Sequence, residues 1–177
     1  GHTRGITRSA GVRPLPDRED VDLRSNRGRG EYLAKQILME GVNLFASFAM
    51  LLTFSRMGLI PGTVSVNQWS QIDESGHVKG LSELFKIFIQ EHPSIVNEEF
   101  KKAIYQTARN VVGYEDKFID LCYDTGEPGN LDKEDVKKYI RFVADYRMQQ
   151  MGFKAQFNIE ENPLPWMDDV TGNIFGD

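Results

Sequence analysis

Residues 68–80 read QWSQIDESGHVKG, and they set a problem. The stretch has strong helical character, yet Asp73, Glu74 and His77 fall on or beside its apolar side, among Trp69, Ile72, Val78 and Leu81. A lone ionised carboxylate is costly to bury, so something has to compensate for it. Glu74 and His77 are three residues apart, which places them on one helix face with Val66, Ser70, Val78, Leu81 and Phe85.

The preceding helical text supplies a third member. In EYLAKQILMEGVNLFASFAMLLTFSRMG, steps of three and four from Glu40 reach Leu33, Ile37, Leu44, Ser47, Phe48 and Leu51. Glu40 therefore lies within an apolar stripe, and no Lys or Arg of that stripe is spaced to pair with it. A carboxylate and an imidazole three apart can reach one ion from a single helix, and a second Glu across the interface can bridge or terminate. Carboxylate-bridged dimetal bundles use one acid from each of two helices and Glu-x-x-His from each of two others. Oxygen-rich ligation with one imidazole per metal favours Fe or Mn over a thiolate-binding ion. The competing reading is that Glu74 and His77 pair with each other, which leaves Glu40 unexplained.

The chain has 177 residues, enough for one domain with a core. A net charge of −5 gives no reason to invoke nucleic acid. Residues 1–30 hold seven Arg, five Gly and two Pro without a period and read as a flexible arm, able to touch an acidic partner. The first helix is expected over Glu31–Gly58 and the second over Val64–Gln90, before Pro93. A third is expected from Asn97 to Tyr123 and a fourth from Leu131 or Asp132. The end, with Pro163 and Pro165, reads as mostly irregular. The expected class is all-α. Cys122, the single cysteine, reads as a small buried hydrophobe and fits a reducing, cytoplasmic compartment. No signal peptide is visible, and the run around NLFASFAMLLTF reads as too short and too interrupted to span a membrane.

Four stretches carry a family resemblance: MEGVNLFASFAMLL (39–52), WSQIDESGHVKG (69–80), YRMQQMGF (146–153) and NPLPWMD (162–168). In this order and spacing they resemble the small subunit of class I ribonucleotide reductase, over about residues 31–170. The resemblance implies half of a ferritin-like bundle over 31–170, between the arm 1–30 and a tail 171–177. It implies that Glu40, Glu74 and His77 are metal ligands. Asp73 is implied to stand beside a ligand histidine, on the radical-transfer route, with Leu44, Phe48 and Ser70 lining an apolar pocket. Ser70 is less apolar than that pocket usually is, and Ile72 stands where the family commonly has Arg.

The family's other ligands, an Asp and a further Glu-x-x-His, have no counterpart upstream of Glu40, and neither does its radical tyrosine. The expectation is a split small subunit, with three of six ligands here and the rest on an N-terminal half chain. The implied cofactor is a dinuclear centre, Fe/Fe first, with Mn/Fe or Mn/Mn as alternatives. It would use O2 to make the oxidant for ribonucleotide reduction in a large catalytic subunit, with the small subunit itself dimeric. Two other readings stand beside this one: a metal-free structural partner of an active small subunit, and a different ferritin-like dimetal oxidase. Neither nucleic acid nor a membrane is an expected partner.

Overall fold

A computed structural model of the chain describes residues 22–171. It contains α1 (Asn26–Val42), α2 (Phe45–Arg56), α3 (Pro61–Glu91), α4 (Glu98–Tyr123), α5 (Lys133–Gln150) and the short α6 (Trp166–Thr171). A 3-10 turn at Pro93–Ile95 links α3 to α4, and no strand occurs among the described residues. The all-α expectation holds. The basic arm lies mostly outside the described residues, as does the tail beyond Thr171.

Local chemistry explains most of the boundaries. The Ser25 hydroxyl caps α1 by accepting from the Gly28 amide at 3.0 Å. Helix α1 thus starts at Asn26, and residues 26–30, read from sequence as arm, form its first turn with Gly28 and Gly30 buried. Asn97 caps α4 through the Phe100 amide, and Glu98 and Glu99 favour its positive end. Asp132 caps α5 through the amides of Glu134 and Asp135. Pro61 occupies the first turn of α3, where its missing N–H leaves nothing unsatisfied.

The expected helix Glu31–Gly58 is in fact two. Asn43 is extended (ψ 149°) and Leu44 is left-handed (φ 74°), so the chain breaks there and restarts at Phe45. Arg147 of α5, only 2% exposed, holds both sides of the break. Its Nε donates to the Gly41 carbonyl at 3.2 Å, and its guanidinium lies 5.7 Å from the centre of the Phe45 ring. That carbonyl belongs to the last turn of α1, where no intrahelical donor remains. Gly41 is required by this approach, because a Cβ would stand 2.8 Å from Arg147 Nε.

Helix α1 packs against α3, α4 and α5, and α2 against α3 and α5. The core runs through Ile37, Leu38, Phe45, Phe85, Phe100, Ile104, Ile119, Tyr139, Ile140 and Met148. Arg141 joins α5 to α4 by two hydrogen bonds to the Asp116 carboxylate, at 2.9 and 2.7 Å. An apolar window within Asn26–Arg56 is long and hydrophobic enough to cross a membrane, contrary to the sequence expectation. It is 61% buried within the chain and spans the break, which makes it the core of the bundle.

The loop after α5 is tied back to the bundle. Asp145, 3% exposed, accepts from the amides of Gln156, Phe157 and Ile159 at 2.6–3.0 Å. Phe153 meets Phe85 of α3 and Tyr105 of α4, and Trp166 stacks under Arg56 of α2 at 4.9 Å. The two later signature stretches thus brace the helices that carry Glu40, Glu74 and His77.

Gly41→Ala is expected to lower stability by about 1–3 kcal/mol, because buried Arg147 has to move away from the carbonyl it satisfies. Urea denaturation of the purified chain measures it. Ala at Gly113, where an added Cβ meets nothing within 4 Å, serves as the control and should be neutral or better.

Candidate metal centre

Glu40 sits in the last turn of α1, a turn with no basic residue. The carboxyl end of a helix carries partial negative charge, so an acid there is disfavoured unless a cation joins it. Across the interface, α3 brings Glu74 and His77. One ligand atom from each of the three residues lies within 4.8 Å of the others. His77 Nδ1 is 3.6 Å from Glu74 Oε2 and 4.0 Å from Glu40 Oε2. Ligands of one Fe or Mn ion sit about 3–4 Å apart, so modest side-chain rotation closes this set. No Lys or Arg among the described residues pairs with either carboxylate.

Carboxylates lie on both sides of the imidazole, each beyond hydrogen-bonding distance. Nδ1 faces the two glutamates, while Nε2 faces Asp73 Oδ1 at 3.7 Å. A carboxylate on the remote nitrogen is the usual device for fixing a ligand histidine. Two carboxylates and one imidazole, with no basic partner, form a donor set that fits a divalent or trivalent hard metal ion.

Burial differs from the sequence expectation. The Glu74 side chain is 23% exposed and that of Glu40 35%, but His77 is 54% and Asp73 72% exposed. Helix α3 is apolar on two sides. Val64, Val78 and Phe85 face the core with Asn67, Gln71 and Ser82, whereas Val66, Trp69, Ile72, Leu84 and Ile87 face outward. In steps of 100° per residue, Trp69, Gly76, Gly80 and Ile87 centre the outward face. A Cβ on Gly76 or Gly80 would meet nothing within 4 Å. Glu74 and His77 stand along the border between the two faces. Of the expected pocket lining, Phe48 is buried, Ser70 is partly covered, and Leu44 is half exposed at the break.

Glu115 escaped the sequence reading because it is embedded in the charged run YEDK. Its position four residues after Val111 and four before Ile119 was the available signal. On α4 it is only 7% exposed, and its carboxyl faces the amides of Leu44 and Ala46 at the break. Burial pushes that carboxyl up to about 7 against the pull of those amides, and the charge of Asp116 adds to the rise. Cys122 is partly buried, and its thiol is raised by burial and by Glu115, which suits packing rather than nucleophilic attack.

Residues 18–163 match the profile of the family described as ribonucleotide reductase, small chain. The chain belongs to this family. It is 42% identical over 133 residues to the protein named ribonucleoside-diphosphate reductase small subunit 048L of Invertebrate iridescent virus 3, covering 75% of this chain and 35% of that protein. With the subunit beta of Chlamydia pneumoniae the identity is 26% over 155 residues, covering 85% of this chain and 44% of the relative. Among solved structures, a class I ribonucleotide reductase from Bacillus halodurans superimposes with a TM-score of 0.77 at 25% identity, covering 85% of this chain and 54% of that one. The R2 subunit from Clostridium botulinum shares the fold, with a TM-score of 0.72. The fold is therefore that of the ferritin-like small subunits. The chain spans less than half the length of these curated relatives.

A group whose folded pKa is raised favours the protonated folded state. Between pH about 4.5 and 7 the folded chain retains a proton on Glu115 that the unfolded chain has released. The contribution of Glu115 to stability is thus greatest at low pH and is lost as pH rises through 7. Glu115→Gln cannot ionise and should be more stable than the parent at pH 8, with the advantage shrinking toward pH 5. Paired denaturation curves at the two pH values give the comparison.

Proposed function

We propose that this chain supplies one half of the dimetal centre of a ribonucleotide reductase small subunit. The observation that supports it most is the convergence of Glu40, Glu74 and His77 at the negative end of α1 with no basic counter-charge. In this reading Glu40, Glu74 and His77 hold metal and Asp73 orients His77. The centre, when bound, supplies O2-dependent oxidising chemistry. Its product starts reduction of ribonucleotides to deoxyribonucleotides in a large catalytic subunit, and the setting is cytoplasmic. Fe/Fe is the preferred occupant, with Mn/Fe and Mn/Mn as alternatives that the same donors accept.

The remaining Asp and Glu-x-x-His ligands then come from polypeptide other than residues 22–171. The outward face of α3 suits that role. Trp69, Ile72 and Ile87 offer apolar area beside His77, and Gly76 and Gly80 let a second helix approach closely. A helix seated there would cover Asp73 and His77 and complete the site from the other side.

Metal analysis of the full chain, alone and joined to polypeptide carrying the missing ligands, tests the reading. Little bound metal is expected alone and about two ions per assembly. Tight, stoichiometric Fe or Mn in the pure isolated chain would contradict the divided site. Glu74→Ala and His77→Ala should abolish uptake by the assembly while circular dichroism stays helical, since both side chains lie at the border of the core.

Asp73→Asn separates orientation from ligation. Asn is nearly isosteric but lacks the carboxylate charge that steadies the imidazole. The assembly should still bind metal, while turnover with the large subunit falls by orders of magnitude. Normal turnover would reduce Asp73 to a surface acid, and lost metal would make it a ligand. Metal content and turnover are to be read on the same preparation.

A further inference from the structure

A cleft of about 580 Å³ opens between α3 and α5. Its α3 wall carries Ser75, Lys79, Ser82 and Lys86, spaced four, three and four residues apart and so on one side of the helix. Its α5 wall includes Tyr146, Arg147 and Gln150. None of Glu40, Glu74 and His77 lines it. Three cations therefore border one volume, in a chain whose net charge is −5. Like charges gathered in this way disfavour one another unless an anion joins them.

The acceptors on these walls are already spent. Glu83 is the one carboxylate that lines the cleft, and Lys86 holds it at 2.9 Å. Lys79 forms no salt bridge among the described residues, and its charge reaches only Glu83. Gln150 Oε1 accepts from Arg147 Nη1 at 2.9 Å, which leaves the N–H groups of that amide for the cleft. Ser82 adds a separate observation. A serine inside a helix can donate to the carbonyl four residues back. Ser75 does so to Gln71 at 2.7 Å, and Ser65 of the same helix to Pro61 at 3.2 Å. Ser82 does not. It is 3% exposed, and its hydroxyl is buried with no partner among the described residues. A buried unpaired hydroxyl is unfavourable, so a ligand that accepts from it relieves a cost. The Arg147 charge is buried as well, and attraction between an anion and a sheltered cation is screened less than at the surface.

We propose that the cleft between α3 and α5 binds the phosphoryl group of a small phosphorylated molecule, seated on Lys79, Lys86 and the Ser82 hydroxyl. A tetrahedral, multiply charged oxyanion accepts from several directions at once, which suits two ammonium groups and a hydroxyl set on successive turns. The volume falls in the range of small-molecule sites and exceeds what a phosphate alone fills, so the rest of the molecule lies along Tyr146 and the Gln150 amide. This site stands apart from the reading of Glu40, Glu74 and His77 as metal ligands.

Pyrophosphate, which carries the phosphoryl chemistry alone, is the probe. Calorimetric titration of the full chain at fixed ionic strength should give saturable binding with a Kd of about 1 mM or tighter. Lys79→Gln, Lys86→Gln and Ser82→Ala should each weaken it by about fivefold or more. Both lysines are exposed, so their loss leaves the fold intact. Lys102→Gln removes the same charge from the surface of α4 and should leave binding unchanged. Without pyrophosphate, Ser82→Ala should be as stable as the parent or more so, because it removes a buried hydroxyl that has no partner.

Absence of saturable binding up to about 20 mM pyrophosphate overturns the proposal. So does binding that Lys102→Gln weakens as much as Lys79→Gln, since that marks attraction to net charge and not to a site. A Ser82→Ala chain that binds like the parent also overturns it, whatever its stability. The same titration on the assembly with polypeptide carrying the missing metal ligands separates two sources of anion. Binding retained there supports a small-molecule site. Binding lost there assigns the cleft to an acidic group of the added polypeptide and overturns it.

Discussion

The buried Arg147 guanidinium is the constraint on which the rest of this structure depends. It sits between a carbonyl that α1 cannot satisfy internally and the ring that opens α2. Without it, a helix broken in the middle of an apolar bundle would leave polar backbone groups unpaired, at a cost comparable to a lost hydrogen bond for each. The surroundings are built to admit it. Gly41 lacks the Cβ that would exclude it, and burial lowers the guanidinium pKa to about 10, which still leaves it charged at neutral pH. Because Arg147 belongs to the stretch YRMQQMGF, a motif far along the chain serves the placement of Glu40.

That placement gives the site its charge. Two carboxylates and a helix C-terminus meet where, among the described residues, the one base paired with them is an imidazole. An arrangement of this kind is poorly suited to hold a fold together, since like charges disfavour one another in the absence of a cation. Its partial exposure limits the penalty in this chain. The later braces, with Asp145 collecting three amides and Phe153 wedged on Phe85, stiffen the scaffold around it.

Much of this was legible from sequence. The caps at Asn97 and Asp132, the stop before Pro93 and the Glu-x-x-His spacing follow from local chemistry, and the structure brings Glu40, Glu74 and His77 together. The break at Asn43–Leu44 was not legible, because GVNLF is compatible with an unbroken helix and its interruption is fixed by Arg147, about a hundred residues away. The faces of α3 were misassigned for a related reason. Apolar residues surround that helix, and periodicity alone does not say which side meets this chain's own core. Glu115 stayed hidden because one acid among three charged or polar neighbours looks like solvated surface until its burial is known.

The two-sided apolar character of α3 has a thermal consequence. Seating a helix on Val66, Trp69, Ile72 and Ile87 would remove apolar surface from water, and that process carries a negative heat-capacity change. Completing the Glu40–Glu74–His77 cluster with an ion is ionic and involves little apolar area. The two events would therefore separate on a temperature axis. Cooling would loosen the docked helix, and warming from the cold would tighten it, whereas coordination would respond mainly to proton activity. A molecule assembled in this way reports through its heat capacity which of its two halves of chemistry, greasy or ionic, is being made or lost.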